Sequence, residues 1–275
     1  MLGAVSAEVA IERVRDGLLR FHAGEWVMPS KVYLESPPFG DFRAMPARGA
    51  GVALLKWVTS FPGNPALGLP TVTGVICLSS AENGEPLMLM DARSVTALRT
   101  GAVAAVAAAG YDHGVCHDAR SAVADVLAHE LGWSTGSLAQ ALRCDVVCCV
   151  TPGTQIVVDI GSLRAGLHLN MLGADGPGKA EASVGAVASC TLFCDEWEQA
   201  SHGGELTGAV NAGLVTRDRV TELGAVLAGD APGRPGPDAV TLFDSTGLAV
   251  QDLAVAVAAF EAWEDSRVDA QTVVL

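Results

Sequence analysis

The sequence predicts an α/β protein of two units, an N-terminal α+β unit followed by a unit built on a parallel sheet. Three observations predict this. The 275 residues exceed the roughly 100–200 of one ordinary domain. Residues 31–90 read as strands separated by turns, whereas helices and short apolar strands alternate from 115 to 243. A long apolar helix then closes the chain, free to return to the first helix.

The elements follow in order. A helix over 6–23 places Val9, Ala10, Val14, Leu18 and Phe21 on one face, with Ser6 as cap and Gly24 as stop. Strands are expected at 31–34, 52–59, 71–78 and 86–90, separated by turn signals such as Ser36-Pro37-Pro38, Pro62-Gly63-Asn64-Pro65 and Glu82-Asn83-Gly84. An alanine-rich helix runs from 94 to 109 and ends at Gly110. Next come a helix over 119–131 capped by Asp118, a helix at 137–143, and strands at 145–150, 156–158 and 167–172. Helix 180–188, strand 191–194 and helix 196–202 follow. After the Pro/Gly-rich stretch 231–237 come strand 239–243 and the final helix 248–264.

Composition narrows the function. Half the residues are apolar and 17% are charged, which excludes a disordered or coiled-coil chain. A net charge of −14 repels phosphate, so neither nucleic acid nor an anionic membrane is an expected partner. The longest apolar run, 101–110, is about half of a membrane span, and the first residues lack the basic head of a signal peptide. A cytoplasmic protein is expected. Cys77, Cys116, Cys144, Cys148, Cys149, Cys190 and Cys194 are odd in number and set in apolar segments, so they read as free, buried thiols. His113, Cys116 and His117 are close together but lack the second ligand segment that a zinc site needs, and no metal is expected.

Lysine usage points to chemistry. Only Lys31, Lys56 and Lys179 occur against fourteen arginines, so each is a candidate for work that a guanidinium cannot do. Lys56 interrupts the apolar strand Val52-Ala53-Leu54-Leu55-Lys56-Trp57-Val58, where a solvated lysine is least expected. The segment from His168 to Lys179 is a strand running into a glycine turn, the place where open parallel sheets bind ligands. Its Gly173-x4-Gly178-Lys179 pattern nearly spells a P-loop, but Ala180 replaces the magnesium-binding hydroxyl and Asp175 would face the phosphates. A carboxylate at Asp175 suits a general acid/base beside a small molecule instead.

Several segments, in order, resemble the ornithine cyclodeaminase/mu-crystallin family. They are Lys31-Val32-Tyr33-Leu34, Asp41 to Ala47, Lys56-Trp57-Val58, Pro62-Gly63-Asn64, Gly68-Leu69-Pro70-Thr71, Met90-Asp91-Ala92, Thr96 to Ala102, Leu169 to Asp175 with Pro177-Gly178-Lys179, and Phe243-Asp244-Ser245-Thr246-Gly247. The resemblance implies a substrate-binding and dimerisation domain from residues 1–109 with 248–275, a Rossmann-like domain from 110–247, and a homodimer. It implies chemistry on amino, imino or keto acids. Lys56 and Arg99 would hold the substrate carboxylate, with Lys31 a further cation. Lys179 belongs to the same substrate-binding set, and Asp175 would be the acid/base at the substrate amine. Arg43 stands where the ornithine-specific branch carries an acid, which favours a simpler amino, imino or keto acid.

One departure shapes the expectation. Ala107-Ala108-Ala109-Gly110 runs almost directly into Tyr111-Asp112-His113-Gly114-Val115-Cys116-His117-Asp118, so the family's first Rossmann strand, glycine loop and helix are missing. Those glycines and that helix N-terminus are what receive a dinucleotide pyrophosphate. The expectation is therefore a truncated Rossmann-like domain, no nicotinamide cofactor, and a lyase- or hydrolase-type enzyme doing non-redox imine chemistry, with Asp175 and a Schiff-base Lys56 as catalytic groups. The alternative is an NAD(P)-dependent imine reductase or alanine dehydrogenase, with Thr100, Asp118, Asn170, Leu172 and Ser245 at the cofactor. A third reading is a non-catalytic homologue that binds a small molecule or a partner, against which the joint presence of Lys56, Arg99, Asp175 and Lys179 weighs.

Overall fold

The computed structural model describes residues 3–108, 113–153 and 155–271. In chain order the elements are α1 (Ala7–His22), β1 (Val32–Ser36), β2 (Gly40–Gly49), β3 (Val52–Ser60), β4 (Val72–Ser80), β5 (Pro86–Asp91) and α2 (Ala92–Ala107). There follow β6 (Val115–Cys116), α3 (Ser121–Leu131), β7 (Ser134–Thr135), α4 (Leu138–Ala141), β8 (Val146–Cys149), β9 (His168–Met171), α5 (Val184–Ala188) and β10 (Thr191–Cys194). The chain ends with α6 (Trp197–Gly203), α7 (Thr207–Asn211), β11 (Val220–Glu222), α8 (Leu223–Ala228), β12 (Thr241–Asp244) and α9 (Ala249–Glu264). These form two compact units, Met1–Val106 with Gly247–Leu275, and Ala107–Thr246.

The first unit is an antiparallel meander in the order β1-β2-β3-β4-β5. Its pleat sends alternate residues to opposite faces. Met45, Leu54, Lys56, Val58, Ile76, Leu78 and Met90 point inward and are buried. Val32, Leu34, Leu55, Trp57, Val75 and Leu89 form an exposed apolar outer face. Helix α9 packs against α1, β2 and β3, and nearly all of its residues from Ala249 to Ala259 are buried. A helix apolar all round is a core helix, so the polar pair Gln251 and Asp252 within it must find partners. The Ser6 hydroxyl accepts from the Val9 N–H and caps α1, as expected.

The second unit carries a five-stranded sheet in the order β11-β10-β12-β9-β8, every neighbouring pair parallel. Leu169, Met171, Leu192, Cys194 and Leu242 fill its core under α5, α6 and α7. Among the described residues, strands β6 and β7 pair only with each other, as a two-stranded parallel sheet beside α3.

Several elements differ from expectation. Strand β2 was not anticipated, because Asp41, Arg43 and Pro46 break the apolar alternation. Residues 156–158 form only an isolated bridge, Val158 to Ala182. Helix α5 starts at Val184 rather than 180, where the Ser183 hydroxyl caps it. Helix α3 starts at Ser121, so Asp118 is not its cap and instead accepts from the Arg120 N–H at 2.7 Å. In β8, read as wholly buried, Val147 and Cys149 are buried while Cys148 and Val150 are exposed, because β8 is the edge of its sheet. The end of the alanine-rich helix at Ala109-Gly110 and the junction through Asp112 lie outside the described residues.

Candidate active site

Each unit holds a group of buried polar side chains. In the first, the sheet's pleat places Arg43 of β2 and Lys56 of β3 on the inner face, with Lys56 in register between Met45 and Ile76. Lys56 is 1% exposed, and an ammonium cannot be left there without a counter-charge. Its Nζ donates to Asp252 Oδ1 at 2.9 Å, from the first turn of α9. The same oxygen lies 3.4 Å from Arg99 Nε on α2, an ionic contact without the alignment of a hydrogen bond. Arg99 Nη1 donates to Gln251 Oε1 at 3.5 Å. The guanidinium lies flat over Gly247, where a Cβ would come within 2.5 Å of Nη1, so any other residue there would push Arg99 away. Asp252 is 0% exposed, and its Oδ2 has no hydrogen-bond partner.

Arg43 is buried, donates from Nε to Asp41 Oδ1 at 2.6 Å, and stacks over the Tyr33 ring at 5.4 Å. Lys31 sits half-buried just before β1, and Thr100 is half-buried within α2.

In the second unit the polar groups lie along β9 and β12, from His168 and Thr241 at the starts of these strands to Ser245 and Thr246 just past the end of β12. His168 Nε2 lies 3.0 Å from Asn170 Oδ1, and its Nδ1 lies 2.7 Å from the Thr241 hydroxyl. Burial pushes the His168 pKa down, so the ring is neutral, with one nitrogen donating and the other accepting. That fixes the Asn170 amide, whose Nδ2 donates to Cys148 Sγ at 3.4 Å. The Ser245 hydroxyl donates to Asp195 Oδ2 at 3.0 Å, and Thr246 Oγ1 donates to Asp195 Oδ1 at 3.3 Å. Leu172 follows β9 and is half-buried. Asp175 is half-buried in the ensuing turn, where Lys179 Nζ donates to its Oδ1 at 2.5 Å.

Two buried acids shape that turn and were not found from the sequence. Glu181 accepts from the Thr151 N–H at 2.6 Å and the Gly173 N–H at 2.8 Å, tying together the chain after β8 and after β9. Gly173 is required here, since a Cβ would lie 2.3 Å from the Thr151 carbonyl oxygen. Glu205 accepts from the Glu181 and Ala182 N–H groups, and burial raises its pKa to about 7. Asp244 is raised well above the usual carboxylate range, first by burial and then by the charge of Asp195. Asp252 and Gln251 were missed as well. The available signal was a polar pair inside an otherwise apolar helix. Among the described residues no group of three His, Cys, Asp or Glu side chains stands ready for a metal. No helix there is long and apolar enough to cross a membrane.

The ornithine cyclodeaminase/mu-crystallin family matches residues 3–111 and 117–267. An alanine dehydrogenase of Archaeoglobus fulgidus is 38% identical, covering 94% of this chain and 91% of its own. That alignment spans 293 positions, more than the 275 residues of the whole chain, so it opens gaps here opposite residues of the relative. An archaeal alanine dehydrogenase dimer with bound NAD superposes with a TM-score of 0.91 and 36% identity, covering 99% of this chain and 96% of that one. The iminosuccinate reductase of Paracoccus denitrificans in complex with NAD+ gives a TM-score of 0.84 and 26% identity, covering 96% and 94%.

These findings correct the expectation of a cofactor-free lyase or hydrolase. Proteins similar to this chain along nearly its whole length are named for redox reactions, and two of them are described with the nicotinamide cofactor bound. The expectation had let one missing glycine turn outweigh everything else. The Schiff-base role for Lys56 belonged to that cofactor-free chemistry and is not carried further, and Lys56 Nζ is ion-paired with Asp252.

Proposed function

The chain belongs to the ornithine cyclodeaminase/mu-crystallin family, and on that premise we propose that it is a nicotinamide-dependent oxidoreductase of a small amino or imino acid. The observation that carries this reading is the near full-length match to an alanine dehydrogenase. The buried cations support it. Lys56 and Arg99 bind the substrate carboxylate as a point charge and a planar fork, with Arg43 and Lys31 adding positive potential. Asp175 exchanges a proton with the substrate nitrogen or with the oxygen that replaces it, and Lys179 beside it holds the carboxylate in place. Arg43 on β2 favours a substrate whose side chain carries no ammonium, such as alanine or a cyclic imino acid.

The described residues fit one end of the cofactor. Asn170, Leu172 and Ser245 stand at the C-terminal ends of the adjacent strands β9 and β12, where a parallel sheet receives its ligand. These residues would hold the nicotinamide, which supplies or accepts the hydride when bound. They do not fit the pyrophosphate. Among the described residues no glycine-rich turn joins a strand to a long helix, and the connection from β6 to α3 runs through His117, Asp118, Ala119 and Arg120. The break in the family match between residues 111 and 117 supports a truncation there. Asp118 then remains at the end of β6 as the acid for a ribose hydroxyl.

The outer face of the first sheet supports a homodimer, since Val32, Leu34, Trp57, Val75 and Leu89 are apolar and exposed together. Val75→Glu is expected to convert a dimer into a monomer by light scattering. A wild type that is already monomeric at working concentration overturns that reading.

The activity test follows absorbance with NADH and NADPH against pyruvate plus ammonium and against pyrroline-2-carboxylate. Oxidation of either cofactor is expected with one of these substrates. No turnover at millimolar cofactor sinks the oxidoreductase reading.

A further inference from the structure

We infer that Asp252, reinforced by Gln251, is the positioning residue that aims Lys56 and Arg99 at the carboxylate of the substrate. The inference rests on the oxidoreductase reading for the identity of that substrate, but the argument is geometric. Two cations on different elements, β3 and α2, meet at one oxygen of one carboxylate, at 2.9 and 3.4 Å. A lysine on four rotatable bonds and an arginine on a helix are both drawn to that one oxygen. Asp252 sits in the first turn of α9, where the helix N-terminus favours a negative charge, so its own position is secured by the buried helix that carries it. Gln251, its neighbour, accepts from Arg99 Nη1 and from the Leu248 N–H, and Gly247 leaves the space over which the guanidinium lies.

Stability does not explain the cluster. A buried ion pair is often matched or bettered by apolar residues of similar volume. Here the carboxylate leaves Oδ2 unbonded and Arg99 Nε poorly aligned, so the group is an imperfect satisfaction of buried charge. Imperfect satisfaction is what a preorganised site looks like before its ligand arrives, because donors kept for a ligand cannot be spent on the protein. Asp252 does not touch the substrate in this reading. It acts through Lys56 and Arg99.

Charge neutralisation alone makes the opposite prediction. Removing a negative group from beside two cations should tighten the binding of an anionic substrate, whereas removing a positioning group should weaken it. The experiment compares wild type, Asp252→Asn and Asp252→Glu. It measures KM and kcat for the amino or imino acid that the wild type uses, and the rise in Tm that pyruvate alone confers without cofactor. Asp252→Asn is expected to raise KM by about tenfold or more while kcat changes less, and to abolish the pyruvate-dependent rise in Tm. Asp252→Glu, which keeps the charge but moves it by one methylene, is expected to raise KM too, and it covers the case in which the asparagine variant does not fold. An unchanged or lowered KM in the folded variants overturns the inference. A wild type that gains stability from pyruvate but turns nothing over sinks the oxidoreductase reading and leaves the Tm comparison to decide the role of Asp252. A wild type that binds neither pyruvate nor any substrate overturns both.

Discussion

In the first unit Asp252 is buried against two cations, and in the second Glu181 and Glu205 are buried against backbone N–H groups. Both arrangements place carboxylates where water is excluded, yet they solve different problems. The N–H groups of Thr151 and Gly173 come after β8 and β9, where the ladder runs out, and a buried donor without an acceptor is costly. Glu181 answers both at once and so fixes the path of the turn that carries Asp175. Asp252 answers the charges of side chains, and side-chain charges are what a ligand can compete for. The comparison separates a carboxylate that builds the chain's path from one that tunes a binding group. The first should show mainly in stability and the second mainly in substrate affinity.

The largest effect is expected from Glu181→Ala. It orphans the buried Gly173 N–H and the partly buried Thr151 N–H at about 1–3 kcal/mol each, so a loss of roughly 3 kcal/mol is expected, read as a fall in Tm of about 6–12 °C by calorimetry. Glu181→Gln keeps one acceptor and should recover about half of that loss. If Glu181→Ala leaves Tm alone but raises KM, the distinction between the two kinds of carboxylate collapses.

Glu205 gives the next effect, through pH. Its folded pKa of about 7 lies above the ordinary 4.5 because burial penalises the charge, while the N–H groups of Ala182 and Glu181 offset part of that penalty. A raised acid contributes stability that is fully present below pH 4.5 and lost as pH rises through 7, about 3 kcal/mol at most. Asp244, also raised, acts in the same direction, and His168, lowered by burial, opposes both at acid pH. The difference between wild type and Glu205→Gln isolates the one group. Wild type should lose stability relative to the variant between pH 5 and pH 8 in denaturant titrations. A difference that stays flat across that range would show that Glu205 does not titrate there.

How much of this was legible in the sequence depended on whether a residue's role was local. The alternation of helix and strand announced the parallel sheet, and the apolar run around Lys56 announced a lysine withdrawn from solvent, which is where it lies. Strand β2 was hidden because its inward residue Arg43 and its Pro46 look like a loop until the neighbouring strands are in place. Asp252, Glu181 and Glu205 were hidden for a related reason. Their partners lie far along the chain, 196 residues away for Lys56 and 30 for Thr151, and only folding brings them together. The glycine turn misled in the other direction. Its absence was plain in the sequence, but the likeness along nearly the whole chain to relatives named for redox reactions, two of them described with the cofactor bound, outweighs it.

The smallest effect is expected from Gln251→Ala, and it sharpens the comparison because Gln251 lies beside Asp252 without its charge. The change removes the acceptor for the Leu248 N–H at 3.3 Å and for Arg99 Nη1 at 3.5 Å, both long bonds. It also removes a buried amide nitrogen that has no partner, which returns part of the cost. The balance should be about 1 kcal/mol or less, a Tm shift of roughly 2–4 °C at most, with a rise in KM smaller than that of Asp252→Asn. Should Gln251→Ala instead cost as much stability as Glu181→Ala, the cluster on α9 would be chiefly a capping device for the helix. The first unit's carboxylate would then belong with those of the second.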